Sequence, residues 1–459
     1  MASKRSMFTE KNVTKSLLRF AIPGIITILL SELYNMVDTF FVGRYTGANA
    51  IGALGIAFPI QRLFIALSLL IGVGVATYMA TSLGENNIEK LKKGFSNAVS
   101  IGIIVFSLLP LIVFYFRENI ILKLGASKEI YPISEEYIVI VLLGSLFVGF
   151  INIFGYGMAA LGYPKATFTS TSIGALINII LDYLTVAVLD MGVRGAAIST
   201  VVSQGLGFSY ALFFMLKVSK KFKLKFKFSF DPAVCKAIIL VGFSSFIVEI
   251  SDAVIIWLLN KRLLPIGGDV AVIIVGTITR ISMLLYIAML GISTGMQPLA
   301  AYAYGEGNYS RLKKIMKKTI FLALVSSLLL WTGMMIFTEE IIGSFLKDAF
   351  ILGKAVKAFR ITIVIFPCIS VYYVAIYYYQ ALSQSKISFF LSIYRQLLLF
   401  IPMFFILTKV WGVTGAWITY PVTDFISAIT GVLYLVRSSK VCEEKKEEEC
   451  RNRVLTSMK

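Results

Sequence analysis

The feature that most limits how this chain can fold is a series of long apolar runs. A helix needs about 20 residues to cross the hydrocarbon core of a bilayer, and runs of that order follow one another along the 459 residues. Strands of a membrane barrel are shorter and alternate in polarity. The sequence therefore predicts an all-α integral membrane protein with about twelve transmembrane helices. The apolar runs are Leu17–Val42, Gly52–Met79, Ala98–Phe116, Ile138–Met158, Ser170–Leu189, Ala196–Leu216, Ala237–Leu259, Val270–Leu290, Ile320–Phe337, Ile361–Tyr379, Ile387–Leu407 and Val413–Leu435.

The basic residues indicate the topology. The formal net charge of +19 raises the question of a nucleic-acid partner, yet the lysines and arginines concentrate in alternate breaks between the apolar runs. This asymmetry follows the positive-inside rule. We therefore predict that the basic loops and both termini are cytoplasmic, and that the chain has no nucleic-acid partner.

The chain also contains an internal repeat. The stretch 74–93 reappears at 295–314 with eight identities on one offset of 221 residues, among them Gly84 with Gly305. Two halves of six helices each have the same orientation in the membrane, which is typical of transporters. The predicted domains are two pseudo-symmetric six-helix lobes at 1–216 and 234–438, a basic cytoplasmic linker at 217–233 and a charged cytoplasmic tail at 439–459.

The linker 217–233 alternates lysine with apolar residues between 220 and 228. This alternation fits a short strand or an interfacial segment. We expect a solvated linker near anionic headgroups rather than a specific lipid site.

Few groups in the chain suit enzyme chemistry. There is no histidine, the commonest proton carrier and a frequent metal ligand. The four cysteines, Cys235, Cys368, Cys442 and Cys450, show neither metal-ligand nor disulfide spacing. We therefore expect no enzyme activity, no metal and no cofactor apart from a coupling ion.

Acidic side chains inside the apolar runs are the strongest functional candidates. Each costs about 2.5–3.5 kcal/mol on insertion scales, so each needs a role. Asp38 lies in the first run, and Asn178 and Asp182 stand four residues apart in the fifth, on one helix face. Because burial disfavours a charged carboxyl group, the two acids are predicted to bind a proton. The same oxygens, with the Thr200 hydroxyl, suit Na⁺ equally well, and both ions stay open.

The remaining polar groups in the runs have weaker predicted roles. Tyr34, Glu249 and Asp252 are candidates for substrate contact or a second site. The abundant Phe and Tyr residues suit flat, amphipathic cations through cation–π contact, although packing and interface anchoring explain most of them.

Five further charged residues are expected to have structural roles. Glu32 and Asp424 are expected near a wet interface. Arg62, Arg280 and Arg395 are expected to snorkel to the interface or to pair with a buried acid or a helix end.

Several stretches together resemble the multidrug and toxic compound extrusion (MATE) transporters, in particular the bacterial branch related to DinF and MepA. The resemblance runs from Ser16 to Val436. The matching stretches are Val37–Arg44 with Ile51–Gly55, Asn178–Asp182, Gly192–Thr200, and Gln297–Pro298 with Gly305.

This resemblance implies a two-lobe, MATE/MOP-like fold in a monomer of the bacterial plasma membrane. It also implies a secondary active antiporter that exports amphipathic, cationic drugs in exchange for H⁺ or Na⁺. The family's ion site maps onto Asp38, Asn178, Asp182 and Thr200. Some members have a second site made by a seventh-helix Glu, for which Glu249 is the candidate, and a tenth-helix Asp. The stretch 371–379 has no acid here, which favours the N-terminal lobe.

The alternative function is a lipid-linked oligosaccharide flippase of the same superfamily. That activity needs a cationic cavity for pyrophosphate and often additional helices. Twelve helices and inward-facing acids count against it.

Overall fold

The structure is a computed structural model that describes residues 7–346 and 348–457, with side chains except at 34–36, 48, 269, 442 and 445–457. Within these residues the chain forms helices and connecting loops, without strands. The helices, numbered here in chain order, are α1 Val13–Tyr45, α2 Ala48–Gly84, α3 Ile88–Tyr115, α4 Arg117–Lys123, α5 Tyr131–Ala160, α6 Pro164–Asp182, α7 Gly192–Phe222, α8 Pro232–Gly305, α9 Tyr309–Ile336, α10 Thr338–Gly343, α11 Ala349–Ile363, α12 Phe366–Ala381, α13 Ser385–Ile393 and α14 Ile401–Ser457.

The described helices supply twelve membrane-spanning segments. Nine are separate spans, because α8 breaks at Gly268 into Pro232–Gly268 and Val270–Gly305. Helices α11 and α12 form a tenth span bent by 49°. The apolar stretch Ser385–Val441 has 57 residues, about 85 Å of helix, which is far more than one crossing needs. It breaks at Gly412 and so contains two spans, which confirms the predicted fold class.

The internal repeat is visible in the backbone. Four pairs of residues have a positive φ and lie 220 or 221 positions apart, so the chain turns at equivalent points in both halves. Asn87 and Asn308, which also differ by 221, accept the first backbone N–H bonds of α3 and α9. The four pairs are Gly47 (φ 104°) with Gly268 (φ 62°), Asn86 (φ 56°) with Gly307 (φ 72°), Gly162 (φ 84°) with Ser383 (φ 57°), and Gly192 with Gly412 (both φ 56°).

Contacts between residues group the chain into two compact units. Unit 1 contains Ile26–Phe246 with residues 7–9, and unit 2 contains Glu10–Ile25 with the described residues from Ile247 onward. The start of α1 thus belongs to unit 2, and the start of α8 belongs to unit 1. These two stretches end at Ile25 and Phe246, which are 221 positions apart, as are equivalent residues of the internal repeat. The division into functional lobes at 1–216 and 234–438 stays a prediction.

Glycines explain why the start of α8 packs so closely in unit 1. A Cβ added to Gly242 would lie 1.7 Å from the carbonyl oxygen of Leu70, and one added to Gly74 would lie 2.1 Å from that of Ile238. Because both obstacles are backbone atoms, only glycine permits this approach of α2 and α8.

Candidate ion-coupling site

Asp38 of α1 lies in unit 1 as a buried carboxyl group that accepts three side-chain hydrogen bonds. Thr200 Oγ1 of α7 donates to Oδ2 at 3.0 Å. Asn178 Nδ2 of α6 donates to Oδ1 at 3.3 Å, and the Tyr137 hydroxyl of α5 donates to Oδ2 at 3.4 Å. Asp38 is 4% exposed, and Asn178 and Thr200 are fully buried. Four helices therefore converge on one carboxyl group.

Asp182 has a different environment beside this group. It is the last residue of α6, immediately before a π-helical segment at Tyr183–Val188. Its side chain is fully buried, with Asp38, Asn178 and Ser199 among its polar neighbours. Neither carboxyl oxygen of Asp182 has a hydrogen-bond partner, and neither does Asn178 Oδ1. Buried polar atoms are normally satisfied, so these three oxygens form an unusual cluster of unused acceptors.

The two aspartates also lack a cationic partner. Among the described residues, the ion pairs of unit 1 involve other acids, and none contains Asp38 or Asp182. Two carboxyl groups out of water without a counter-charge are costly. A proton or a small cation would offset this cost, and carboxylate, amide and hydroxyl oxygens are suitable ligands for such a cation.

The structure thus brings together the four residues predicted for the N-terminal site. Sequence reasoning missed Tyr137, and with it Gln61, whose Nε2 donates to the Tyr137 hydroxyl at 3.2 Å. It also missed the hydroxyl pair Thr185 and Ser199, whose oxygens are 2.8 Å apart. Single hydroxyl and amide side chains in apolar runs carry no signal that separates them from packing residues.

Unit 2 contains a second buried polar cluster around Arg395. Its Nε donates to Asp424 Oδ1 at 2.8 Å, and its other nitrogens donate to the hydroxyls of Tyr286 at 3.1 Å and Tyr373 at 3.3 Å. Asp424 is 2% exposed. The expectation of a wet interface for Asp424 was therefore wrong, because Arg395 neutralises it in the interior. Arg395 lies in a second π-helical segment, Tyr394–Phe400.

Other charged residues in the spans have varied surroundings. Arg62 pairs with Glu32 at 3.5 Å, and both side chains are about one-sixth exposed. Asp252 is exposed and accepts a hydrogen bond from Gln396 Nε2 at 2.7 Å. Glu249 is half-buried and Arg280 is exposed. The side chain of Tyr34 lies outside the described residues.

The described residues contain no group of three His, Cys, Asp or Glu side chains with the geometry of a metal site. The oxygens of the candidate site belong to two carboxyl groups, an amide and a hydroxyl. Such a set suits a proton or a weakly held monovalent ion better than a transition metal, which prefers imidazole and thiolate ligands.

In the described part of the chain, twelve spans in two repeated halves, with uncompensated carboxyl groups buried in one unit, define the chain as a membrane transporter. The chain belongs to the MatE family, whose model matches residues 23–184 and 241–406.

Individual relatives agree with this assignment. The multidrug export protein MepA of Staphylococcus saprophyticus is 25% identical over 433 residues, 94% of this chain and 95% of the relative. MepA of Staphylococcus aureus strain NCTC 8325 is 24% identical over the same shares. The crystal structure of a MATE protein in complex with MaL6 has a TM-score of 0.90 at 22% identity and covers 96% of this chain and 99% of that one. The family predicted by resemblance and the MATE fold are thereby confirmed.

Proposed function

We propose that this multi-pass membrane protein exports small, amphipathic organic cations in exchange for H⁺ or Na⁺. The MatE family and the relatives named as multidrug export proteins support export of drug-like molecules. The proposed ion-coupling site consists of Asp38, Asn178, Asp182 and Thr200. The protein acts as a monomer in the bacterial plasma membrane, with both termini in the cytoplasm.

One observation carries this proposal. Asp182 is fully buried, lies beside Asp38 and has two oxygens without a donor. Asp38 already accepts hydrogen bonds from Thr200, Asn178 and Tyr137, whereas the two oxygens of Asp182 accept none. An ion that binds between them satisfies the free oxygens and removes the repulsion between the two carboxyl groups. The site therefore changes both its charge and its internal contacts when the ion binds.

Coupling follows because substrate and ion change each other's affinity by the same factor. Uptake of the ion removes one negative charge from the pair of aspartates, α1 shifts, and the cationic substrate is released to the outside. One charge moving through ~100 mV contributes about 2.3 kcal/mol, and one pH unit contributes about 1.4 kcal/mol. Together they sustain a substrate gradient on the order of several hundredfold.

In this scheme Tyr34, Glu249 and Asp252 contribute substrate contacts or a second site. Asp252 is better placed than Glu249, because it is exposed and Gln396 orients its carboxyl group. The helices of 1–216 and 234–438 act as the two lobes of the transport cycle.

Dye efflux from proteoliposomes tests the proposed function. The purified protein is reconstituted with ethidium inside, and a pH gradient or a sodium gradient is imposed separately. We expect one of the two gradients to drive ethidium export, and Asp38→Asn to abolish it without loss of reconstituted protein. If neither gradient drives export, or if Asp38→Asn exports normally, the proposal is wrong. A parallel binding assay with an undecaprenyl pyrophosphate sugar tests the flippase alternative.

A further inference from the structure

The segment 223–231, here called the linker strap, connects α7 to α8. Its backbone is non-helical between Lys223 and Pro232. Lys223 ends α7 in a left-handed conformation, and Pro232 begins α8. The surrounding stretch 217–231 contains six lysines and one acid. Loops of this composition are usually solvated and mobile, but the contacts of this one are different.

The linker strap is fixed to one side of α3. The Ser229 N–H donates to Ser100 Oγ at 2.9 Å, and the Asp231 N–H donates to Asn97 Oδ1 at 2.6 Å. Ser96 Oγ donates to the Lys225 carbonyl at 3.2 Å. These three side chains of α3 lie within about one helical turn and are buried. They hold the backbone of the linker strap in one path.

Aromatic packing adds a further anchor. The ring of Phe226 meets that of Phe95 edge-on at 5.2 Å and that of Phe154 at 6.1 Å. Leu224 is buried. The first half of the linker strap is therefore packed onto the helices, which a purely solvated linker would not require.

The outer surface of the linker strap combines positive charge with exposed rings. Lys223, Lys225 and Lys227 are exposed, and Phe228 and Phe230 are 62% and 61% exposed. The acid that ends the segment, Asp231, turns its carboxyl group to the start of α8, where Oδ1 accepts the Ala233 N–H at 3.0 Å. The three lysines thus face outward without a neighbouring acid from the linker strap itself.

We propose that the linker strap is a binding surface for anionic phospholipid headgroups. The three lysines bind the headgroup phosphates, and Phe228 and Phe230 insert at the boundary between headgroups and acyl chains. Phe side chains of interfacial segments are buried at that depth, whereas exposing more than half of both rings to water is unfavourable. Each lysine near an anionic surface strengthens binding on the order of fivefold. Because α3 fixes the backbone, the surface is formed before the lipid binds, and little ordering entropy is lost.

Lipid binding to the purified full-length protein tests this inference. Native mass spectrometry counts phosphatidylglycerol and phosphatidylcholine, with identical acyl chains, as each is titrated into the detergent-solubilised protein. We expect the wild type to prefer phosphatidylglycerol. The triple variant Lys223→Gln, Lys225→Gln, Lys227→Gln should bind it at least about tenfold more weakly and bind phosphatidylcholine as before.

The matched control is Lys314→Gln, Lys317→Gln, Lys318→Gln, which removes three exposed charges from α9 and should keep the preference. The variant Phe228→Ser, Phe230→Ser should weaken the binding of both lipids equally, because ring insertion does not depend on the headgroup. Unchanged phosphatidylglycerol binding in the strap variant, or an equal loss in the α9 control, would overturn the inference. All substituted side chains are exposed, so each variant should elute as the wild type does in size-exclusion chromatography.

Discussion

The two aspartates of the candidate site should respond to the same substitution with opposite changes in stability. Asp38 accepts hydrogen bonds from Thr200, Asn178 and Tyr137. The two carboxyl oxygens of Asp182 accept none. Replacing each aspartate by asparagine keeps its shape and removes its charge, so the difference between the two variants reports their surroundings.

The structure sets the size of each effect. In Asp38→Asn an amide nitrogen faces one of the three donors, and a buried donor that loses its partner costs about 1–3 kcal/mol. In Asp182→Asn the new amide nitrogen can donate to the neighbouring Asp38 carboxylate, and a hydrogen bond to a charged group contributes about 1.5–3 kcal/mol. We therefore expect Asp38→Asn to be less stable than the wild type by about 2 kcal/mol and Asp182→Asn to be more stable by about the same amount.

Thermal unfolding of the detergent-solubilised protein, followed by tryptophan fluorescence, measures this difference. At alkaline pH without sodium, Tm should rise by a few degrees in Asp182→Asn and fall in Asp38→Asn. Adding the coupling ion should raise the Tm of the wild type, because a ligand of the folded state stabilises it, and should leave both variants unchanged. A shift of both variants in the same direction would refute the assignment of a satisfied and an unsatisfied aspartate.

Two further predictions concern packing and the second polar cluster. Gly242→Ala places a Cβ against the Leu70 backbone and should greatly reduce the yield of monodisperse protein in size-exclusion chromatography. The control Gly276→Ala, with nothing within 4 Å of the added atom, should keep the yield of the wild type. Equal yields of the two variants would contradict the packing of α2 and α8. Arg395→Met leaves the Asp424 carboxylate buried without a partner and should destabilise the fold by about 3–5 kcal/mol. The double variant Arg395→Met, Asp424→Leu should recover most of this loss. Thermal unfolding measures both variants, and a double variant no more stable than the single one would contradict the buried ion pair.

Much of the fold could be predicted from the sequence because lipid imposes a strong pattern. Long apolar runs indicated the number of helices, and the offset of 221 residues indicated the two halves. The grouping of the start of α8 with unit 1 could not be predicted, because it depends on backbone contacts at Gly74 and Gly242. Both are ordinary helix glycines when only the sequence is known.

The candidate site was predictable in part. The spacing of Asn178 and Asp182 placed them on one helix face, and the cost of a carboxyl group in lipid singled out Asp38. Thr200 was named first as a hydroxyl ligand for Na⁺, and the resemblance to a family then assigned it to this site. The π-helical segments after Asp182 and around Arg395 have no sequence signature, although such segments often mark functional sites.

The sequence contained a signal for the pairing of Arg395 with Asp424. The two residues carry opposite charges in consecutive apolar runs, 29 positions apart. Only the structure shows that they meet inside unit 2 instead of reaching separate interfaces, because the depth of each side chain depends on how the helices pack.

The most direct test of the account is the number of ions released when substrate binds to the purified protein. Ethidium is added in weakly buffered solution, and proton release is followed with a pH indicator and sodium release with radiolabelled sodium. Reciprocal coupling predicts that the wild type releases about one ion of one kind per bound substrate, and that Asp38→Asn binds ethidium without any release. Ethidium binding to the wild type with no ion released, or release that persists in Asp38→Asn, would contradict the central claim that the buried aspartates hold the coupling ion.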